Sequence, residues 1–399
     1  MSIPQLRFKG FEGKWQEVKG NYLFDSISDK KHNSDLPILA ITQDQGAIPR
    51  ELINYKVIVS DASVDSYKVV NVGDFIISLR SFQGGIEYSN YKGICSPAYI
   101  ILRNTKEIFG PFYKIYFKTY IYISKLCEKL EGIRDGKMVS YKYFSEISIP
   151  YPSILEQEKI ASFFTVIDQK LNLLKDKKEK LELYKKGVMQ QIFSQKLSFK
   201  DEKGNEFPKW EKYQLNEVLT EHKVRNKDNS VTEVFSVAKN KGVINQIEHL
   251  GRSYASSDIS NYKIAFPDDV IYTKSPTSEF PFGIIKQNKT GRTGIVSTLY
   301  GVFRPKNKFI GFLLDYHFST WQNTFNYLNP LVQKGAKNTM NINNETFVNG
   351  DVISLPQSEL EQKRIVEFLI SLETKINLVS TQIEKTELWK KGLLQQMFV

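Results

Sequence analysis

Residues 155–193 read LEQEKIASFFTVIDQKLNLLKDKKEKLELYKKGVMQQIF, and residues 360–398 read LEQKRIVEFLISLETKINLVSTQIEKTELWKKGLLQQMF. They align without a gap at an offset of 205, with 18 of 39 positions identical, so the segment is duplicated. Neither copy contains proline, and each has one glycine, Gly187 and Gly392. Apolar residues recur in alternating steps of four and three. They are Ile160, Phe164, Ile167, Leu171 and Leu174 in the first copy, and Ile365, Leu369, Leu372, Ile376 and Val379 in the second. That spacing is a heptad seam, suited to packing on another helix. A helix of this length is a rod of roughly 58 Å. Such a seam exceeds what one small domain covers, so the two helices are expected to pair, antiparallel. Lys178, Lys185 and Lys390 interrupt the seam and predict looser or charged contacts there. Ser153, after Pro150 and Pro152, and Ser358, after Pro356, are candidate N-caps with glutamates in the first turn.

Outward from the helices the repeat continues more loosely. Leu6, Phe8 and Lys9 recur as Leu197, Phe199 and Lys200, and Trp15 recurs as Trp210. GDFIIS (73–78) matches DDVIYT (268–273), and GICSPAYIILR (93–103) matches GIVSTLYGVFR (294–304). The order is therefore diverged domain, helix, diverged domain, helix, in an α+β chain. The boundaries are 1–150 and 197–355 for the domains, and 151–196 and 356–399 for the helical regions. Short β-rich runs are expected at Ile38–Thr42, Phe75–Leu79, Tyr99–Arg103, Val234–Ala238, Val270–Thr273 and Gly301–Arg304. Phe112–Leu130 and Phe309–Tyr327 read as helices. A twisted or barrel-like sheet with a few helices is expected in each domain.

The chain has 399 residues, with 55 Lys plus Arg against 44 Asp plus Glu, a net charge of +11. This fits a polyanionic partner and excludes an acidic DNA mimic. Two cysteines, Cys95 and Cys127, suggest a reducing compartment. No stretch approaches the ~18–20 apolar residues of a membrane span. A cytoplasmic protein is expected.

Catalytic patterns are absent. His32, His222, His249 and His317 lack metal-ligand spacing and read as surface residues. The stretch Gly132 to Lys137 is one residue short of a phosphate loop and is followed by Met138. Glu361-Gln362-Lys363 after Asp351 faintly suggests a nuclease set, but its repeat is Glu156-Gln157-Glu158. No methyltransferase motif occurs.

Each helix opens with Leu-Glu-Gln after a proline-containing stretch and closes with Lys-Lys-Gly, at Lys185-Lys186-Gly187 and Lys390-Lys391-Gly392. With two divergent domains alternating with two near-identical helices, the chain resembles the specificity subunit of type I restriction–modification enzymes. The opening LRFKGFEGKW (6–15) is similar to how such chains begin, though the double proline common before the helix is absent. The resemblance implies a non-catalytic DNA-recognition subunit. Each domain would read one half of a bipartite double-stranded target, and the helices would set the gap between halves. Two methyltransferase subunits would dock, carrying the S-adenosylmethionine, and two translocase–nuclease subunits would join for restriction; this chain would bind no cofactor or metal.

Candidate reading residues are loop side chains at matched repeat positions. Gln43 and Gln45 stand beside Lys239 and Asn240, Arg80 and Gln83 beside Lys274, and Arg134 and Lys137 beside Lys337 and Asn338. Two other readings exist. A fused restriction–methylation chain would need a methyltransferase motif, and a coiled-coil scaffold would have no sequence preference.

Overall fold

The computed structural model describes residues 3–32, 35–53, 61–128, 139–239, 241–274, 277, 279–334 and 340–398. Contacts divide the chain into two units, residues 1–177 with 379–399, and residues 178–378.

In the first unit β1 (Phe24–Ile27), β4 (Phe75–Ile77), β5 (Glu87–Tyr88) and β6 (Ile100–Asn104) form an antiparallel sheet in the order β1–β6–β4–β5. A separate ribbon pairs β2 (Leu39–Thr42) with β3 (Gly46–Pro49). All three residues of β4 are buried, as expected of a short continuous apolar run. Helices α1 (Gly110–Tyr116) and α2 (Tyr120–Cys127) follow, and then α3 (Ile154–Phe193). The core is aromatic: Phe24 meets Phe75 edge-on at 5.4 Å, and Phe75 meets Phe117 at 5.3 Å.

The second unit repeats this plan. Strands β7 (Leu219–Glu221), β10 (Val270–Tyr272), β11 (Ile285–Gln287) and β12 (Gly301–Pro305) take the order β7–β12–β10–β11. The ribbon is β8 (Phe235–Ala238) with β9 (Gly242–Asn245). Helices α4 (Lys308–His317), α5 (Trp321–Leu328) and α6 (Glu359–Met397) follow. A four-stranded sheet with separate ribbons thus stands where one twisted or barrel-like sheet is expected.

Two expectations need correction. The single helical runs at 112–130 and 309–327 are each broken. Thr119 and Thr320 leave the helical region and accept hydrogen bonds from the amides of Tyr122 and Asn323, starting a second helix. The apolar periodicity continues across the break and conceals it. Nor are the histidines all surface residues. His222 bonds through Nε2 to Asp269 Oδ2 at 2.8 Å, and His317 lies against the rings of Phe193 and Phe318. Burial holds the His317 imidazole down at about 4.

The duplicated motifs turn out to be duplicated bonds. Asp74 is buried and takes a bidentate pair from Arg103 at 2.8 and 2.7 Å; Asp269, fully buried, takes Arg304 Nε at 2.6 Å. At the start of α3, Trp15 Nε1 donates to Glu156 Oε2 at 3.0 Å. At the start of α6, Trp210 Nε1 donates to Glu361 Oε1 at 3.0 Å. Gln157 Nε2 donates to the Pro152 carbonyl at 2.8 Å, and Gln362 Nε2 to that of Pro356 at 2.8 Å. Phe8 packs edge-on against Phe163 at 5.4 Å, as Phe199 does against Phe368 at 5.8 Å. The Leu-Glu-Gln openings therefore tie each domain to its own helix. The expected caps are also present as long bonds, Glu156 N to Ser153 Oγ at 3.4 Å and Glu361 N to Ser358 Oγ at 3.5 Å.

The helices also touch within each unit. In the first, Asp168 pairs with Lys390, and Lys175 with Glu387 at 2.8 Å, while Ile160, Phe164, Ile167 and Leu171 share a core with Leu393, Met397 and Phe398. In the second, Lys185 pairs with Glu373 at 2.5 Å, and Val188, Met189 and Ile192 share a core with Ile365, Val366 and Leu369. Leu372 and Val379 are buried, and Leu174 and Ile376 are half-buried. The lysines at 185 and 390 thus make charged contacts.

The copies differ at one buried carboxylate. Arg7 Nε donates to Glu156 Oε1 at 2.6 Å, but Ser198 replaces this arginine in the repeat. Glu361 Oε2 has no hydrogen-bond partner among the described residues. Burial raises the Glu361 carboxyl above its ordinary range, against a lowering bond from Trp210. Glu156→Gln should cost about 1.5–3 kcal/mol, because a neutral amide replaces the charged partner of the half-buried Arg7 guanidinium. Glu361→Gln should cost under ~1 kcal/mol at neutral pH, because Gln keeps an acceptor for Trp210. An acid raised by folding contributes stability that is present below its unfolded value and lost as pH rises through its folded one. Urea denaturation should therefore show that Glu361→Gln removes a loss of stability on going from about pH 4 to pH 7.

Candidate nucleic-acid interface

The hairpin tips and the loops after the central strands carry the candidate side chains. In the first unit, the turn after Thr42 is closed by Gly46 at φ +78. It presents Gln43 and Gln45, both exposed. Gln43 Nε2 reaches the Arg80 carbonyl at 3.4 Å, and Lys118 Nζ donates to the Gln43 carbonyl at 3.1 Å. Gln43, Gln45 and Arg80 together line a groove of about 410 Å³ with Asp44 and Leu52. Arg80 is exposed and leads into the short helix Ser81–Gly84, which carries the exposed Gln83 outside that groove's lining. An arginine and two amides on one rim could meet guanine and adenine edges.

In the second unit Lys239 occupies the hairpin tip, pairs with Glu279 and lies 5.4 Å from the Phe280 ring centroid. Lys274 is half-buried with φ +57. Burial, followed by the nearby Lys263, depresses its ammonium. Lys239 lines a groove of this unit that Lys274 does not line. Asn240, Arg134, Lys137, Lys337 and Asn338 lie outside the described residues. Reading loops by repeat position missed Lys241 and Lys186. Both line a larger groove of about 940 Å³ in this unit. Lys241 could have been found, because it is the hairpin match of Gln45.

No group of three or more His, Cys, Asp or Glu residues arranged to hold a metal occurs among the described residues. Cys95 is buried and its thiol is pushed up to about 12, so it is unreactive. Glu361 and Gln362, the faint nuclease echo, are spent on Trp210 and Pro356. Among the described residues no helix is long and apolar enough to cross a membrane.

Residues 16–183 match the model of the type I restriction modification DNA specificity domain. The putative type I restriction enzyme MjaX specificity subunit of Methanocaldococcus jannaschii is 29% identical over 133 residues, 33% of this chain and 31% of that protein. The MjaVIII specificity subunit of the same organism is 29% identical over 157 residues, 38% of this chain and 36% of that protein. The matches thus span about a third of each relative's length. The S subunit of the type I restriction-modification system from M. genitalium superposes with a TM-score of 0.53 at 13% identity, over 100% of this chain and 99% of that one. A chain from work on complex assembly and conformational transition of the type I R-M system also gives 0.53, at 16% identity, over 96% and 97%. The fold is therefore that of the type I specificity polypeptides. The likeness to the type I restriction modification DNA specificity domain covers residues 16–183.

The left-handed backbone at Lys274 separates strain from charge. A side chain in this region costs ~1–2 kcal/mol. Lys274→Gly should raise stability by about 0.5–1 kcal/mol after the entropy cost of glycine. If Lys274 contacts phosphate, DNA affinity should fall for all sequences alike despite that gain. Unchanged affinity in filter binding at two salt concentrations would remove Lys274 from the interface.

Proposed function

We propose that the chain is the non-catalytic DNA-specificity subunit of a cytoplasmic type I complex. Domains 1–150 and 197–355 each read one half of a bipartite double-stranded target, and the helical regions 151–196 and 356–399 pair as an antiparallel coiled coil that fixes the gap. The observation that carries this reading is the duplication of domain and helix together. Bonds from Trp15 and Trp210 to the first turns of their helices recur in both copies. Support for the antiparallel pairing comes from partner numbers that fall as the other helix's rise, Asp168 with Lys390 and then Lys175 with Glu387. The same ion pair also recurs with the helices exchanged, since Asp168–Lys390 and Lys185–Glu373 differ by the repeat offset.

Two reading heads on one duplex face must sit about one helical turn apart, ~34–36 Å. A rod of roughly 58 Å can hold them there. Two methyltransferase subunits, which bind the S-adenosylmethionine, and two translocase–nuclease subunits complete the proposed assembly. Mapping methylated adenines after co-expression with the methyltransferase tests the whole reading: two half-sites with a fixed spacer are expected, and methylation without sequence preference would overturn it.

Two further outcomes follow from the division of labour. Inserting four residues near Lys178 should lengthen the spacer and leave the half-site bases unchanged, as read by the same mapping. Arg80→Ala and Arg134→Ala should each cost ~1–3 kcal/mol and relax one target position, because the guanidinium fork matches guanine. Lys337→Ala should instead weaken all sequences alike and reduce the salt slope by about one.

A further inference from the structure

The lysines of the second unit's groove come from three parts of that unit. Helix α3 contributes Lys185 and Lys186, the β8–β9 hairpin contributes Lys239 and Lys241, and strand β11 with the turn after it contributes Lys286 and Lys289. Six lysines thus face three carboxylates, Glu182, Asp315 and Glu373. Several of these charges are fixed. Buried Asp315 takes Lys286 at 2.9 Å and Lys289 at 2.8 Å. Burial would push that carboxyl up, but the two ammoniums outweigh it and hold it below its ordinary range. One carboxylate cannot neutralise two ammoniums, so the cluster keeps a net positive charge. Lys289 is held over the Phe312 and Tyr316 rings at 4.6 and 4.4 Å, and its side chain remains 29% exposed. Lys186 and Lys241 are exposed at the groove's helix and hairpin walls, and Lys241 Nζ lies 3.1 Å from His249 Nδ1. Trp321, 47% exposed and stacked on Phe325 at 4.8 Å, also lines the groove.

The first unit keeps Lys390 and Lys391 where α3 has Lys185 and Lys186, but it lacks the charge at three other matching places. The hairpins close on Thr42–Gly46 and Ala238–Gly242, which sets Gln43 against Lys239 and Gln45 against Lys241. In the sheets Glu87 faces Ile76 where Lys286 faces Ile271. The buried pair is reversed as well. Glu87 is met by Lys118 in the first unit, and Lys286 by Asp315 in the second. Two amides and a carboxylate thus occupy positions held by three lysines.

We propose that this groove is a phosphate track for the DNA backbone, and that it makes the two heads electrostatically unequal. The second head would carry more of the sequence-independent affinity, with α3 contributing Lys186 as a DNA contact as well as setting the spacing. The proposal rests on the DNA-reading function above and adds the asymmetry to it. Ammoniums spread over three walls suit successive phosphates of one strand, which position a duplex without specifying its sequence. An acidic segment of a partner protein is the competing occupant.

The test uses the full chain assembled with its methyltransferase subunits. Lys186→Gln with Lys241→Gln removes two exposed charges that hold no ion pair with a carboxylate among the described residues, so the fold should survive. The slope of log affinity against log salt should fall by roughly 1.8, at ~0.9 per contact, for target and non-target duplexes alike. The methylated bases should stay the same. Trp321 fluorescence should respond to duplex in the parent and less so in the variant, with Trp321→Phe identifying the signal. An unchanged slope and affinity would overturn the track while leaving a bipartite methylation target, and hence the specificity function, intact. Weaker methyltransferase assembly with an unchanged DNA slope would assign the groove to a protein segment and also overturn it. A parent complex with no sequence preference would instead count against the specificity function itself.

Discussion

A carboxylate buried in the first turn of each long helix sets the direction in which that helix leaves its domain. Glu156 is 1% exposed and Glu361 is 3% exposed, and each accepts an indole N–H from a tryptophan far back in the chain. A buried carboxylate without such a donor would be costly, so the tryptophan has to stay. The neighbouring glutamine bonds the carbonyl of the proline before the helix and also reaches into the domain. Gln157 Oε1 accepts from the Phe109 amide, and Gln362 Oε1 from Asn307 Nδ2. Each domain is therefore clamped to its own helix at two adjacent side chains. The proposed spacing role needs that property, because a rod sets a distance only if what it carries cannot swivel.

Much of this was legible in the sequence, for physical reasons. The central strands are short uninterrupted apolar runs, and Phe75–Ile77, Val270–Tyr272 and Ile100–Asn104 lie within two residues of their expected limits. Ile160, Phe164, Ile167 and Leu171, at heptad spacing, are buried, as are Ile365, Leu369, Leu372 and Val379, since burial in a helix follows its period. The helix breaks at Thr119 and Thr320 were concealed because a capping threonine and a helical threonine look alike inside an apolar run. The Trp15–Glu156 bond was concealed by 141 residues of separation. Its signal was nonetheless present, since tryptophan and glutamate both recur in the second copy while most of the domain between them changes. Of the candidate contact loops, the hairpin tips were found because turns recur at matched places. The lysines of α3 were passed over because a charge on a helix reads first as a solvated face.

Duplication followed by divergence accounts for the pattern of likeness. What stayed the same is what both copies need mechanically: the buried aspartate with its more exposed arginine, the indole bond and the helix seam. What changed is the surface presented at the hairpins and, less expectedly, the sign of a buried charge. Glu87 with Lys118 and Lys286 with Asp315 are both sound solutions to the same burial problem. Burial also raises the Glu87 carboxyl, against the lowering pull of Lys118.

That reversed charge has a consequence for inheritance. A gene built as a tandem duplication invites recombination between its halves and with its relatives. A crossover in the long helices exchanges whole heads and leaves each buried charge with its counter-charge. A crossover between the central strands and the helices that follow would bury Glu87 beside Asp315, or set buried Lys286 beside the partly exposed Lys118, so that like charges meet in either hybrid. Such hybrids would be lost as unfolded chains before any binding preference mattered. If the proposed function holds, new specificities should therefore arise by reassorting intact heads, with breakpoints gathered in the sequence that encodes the helices.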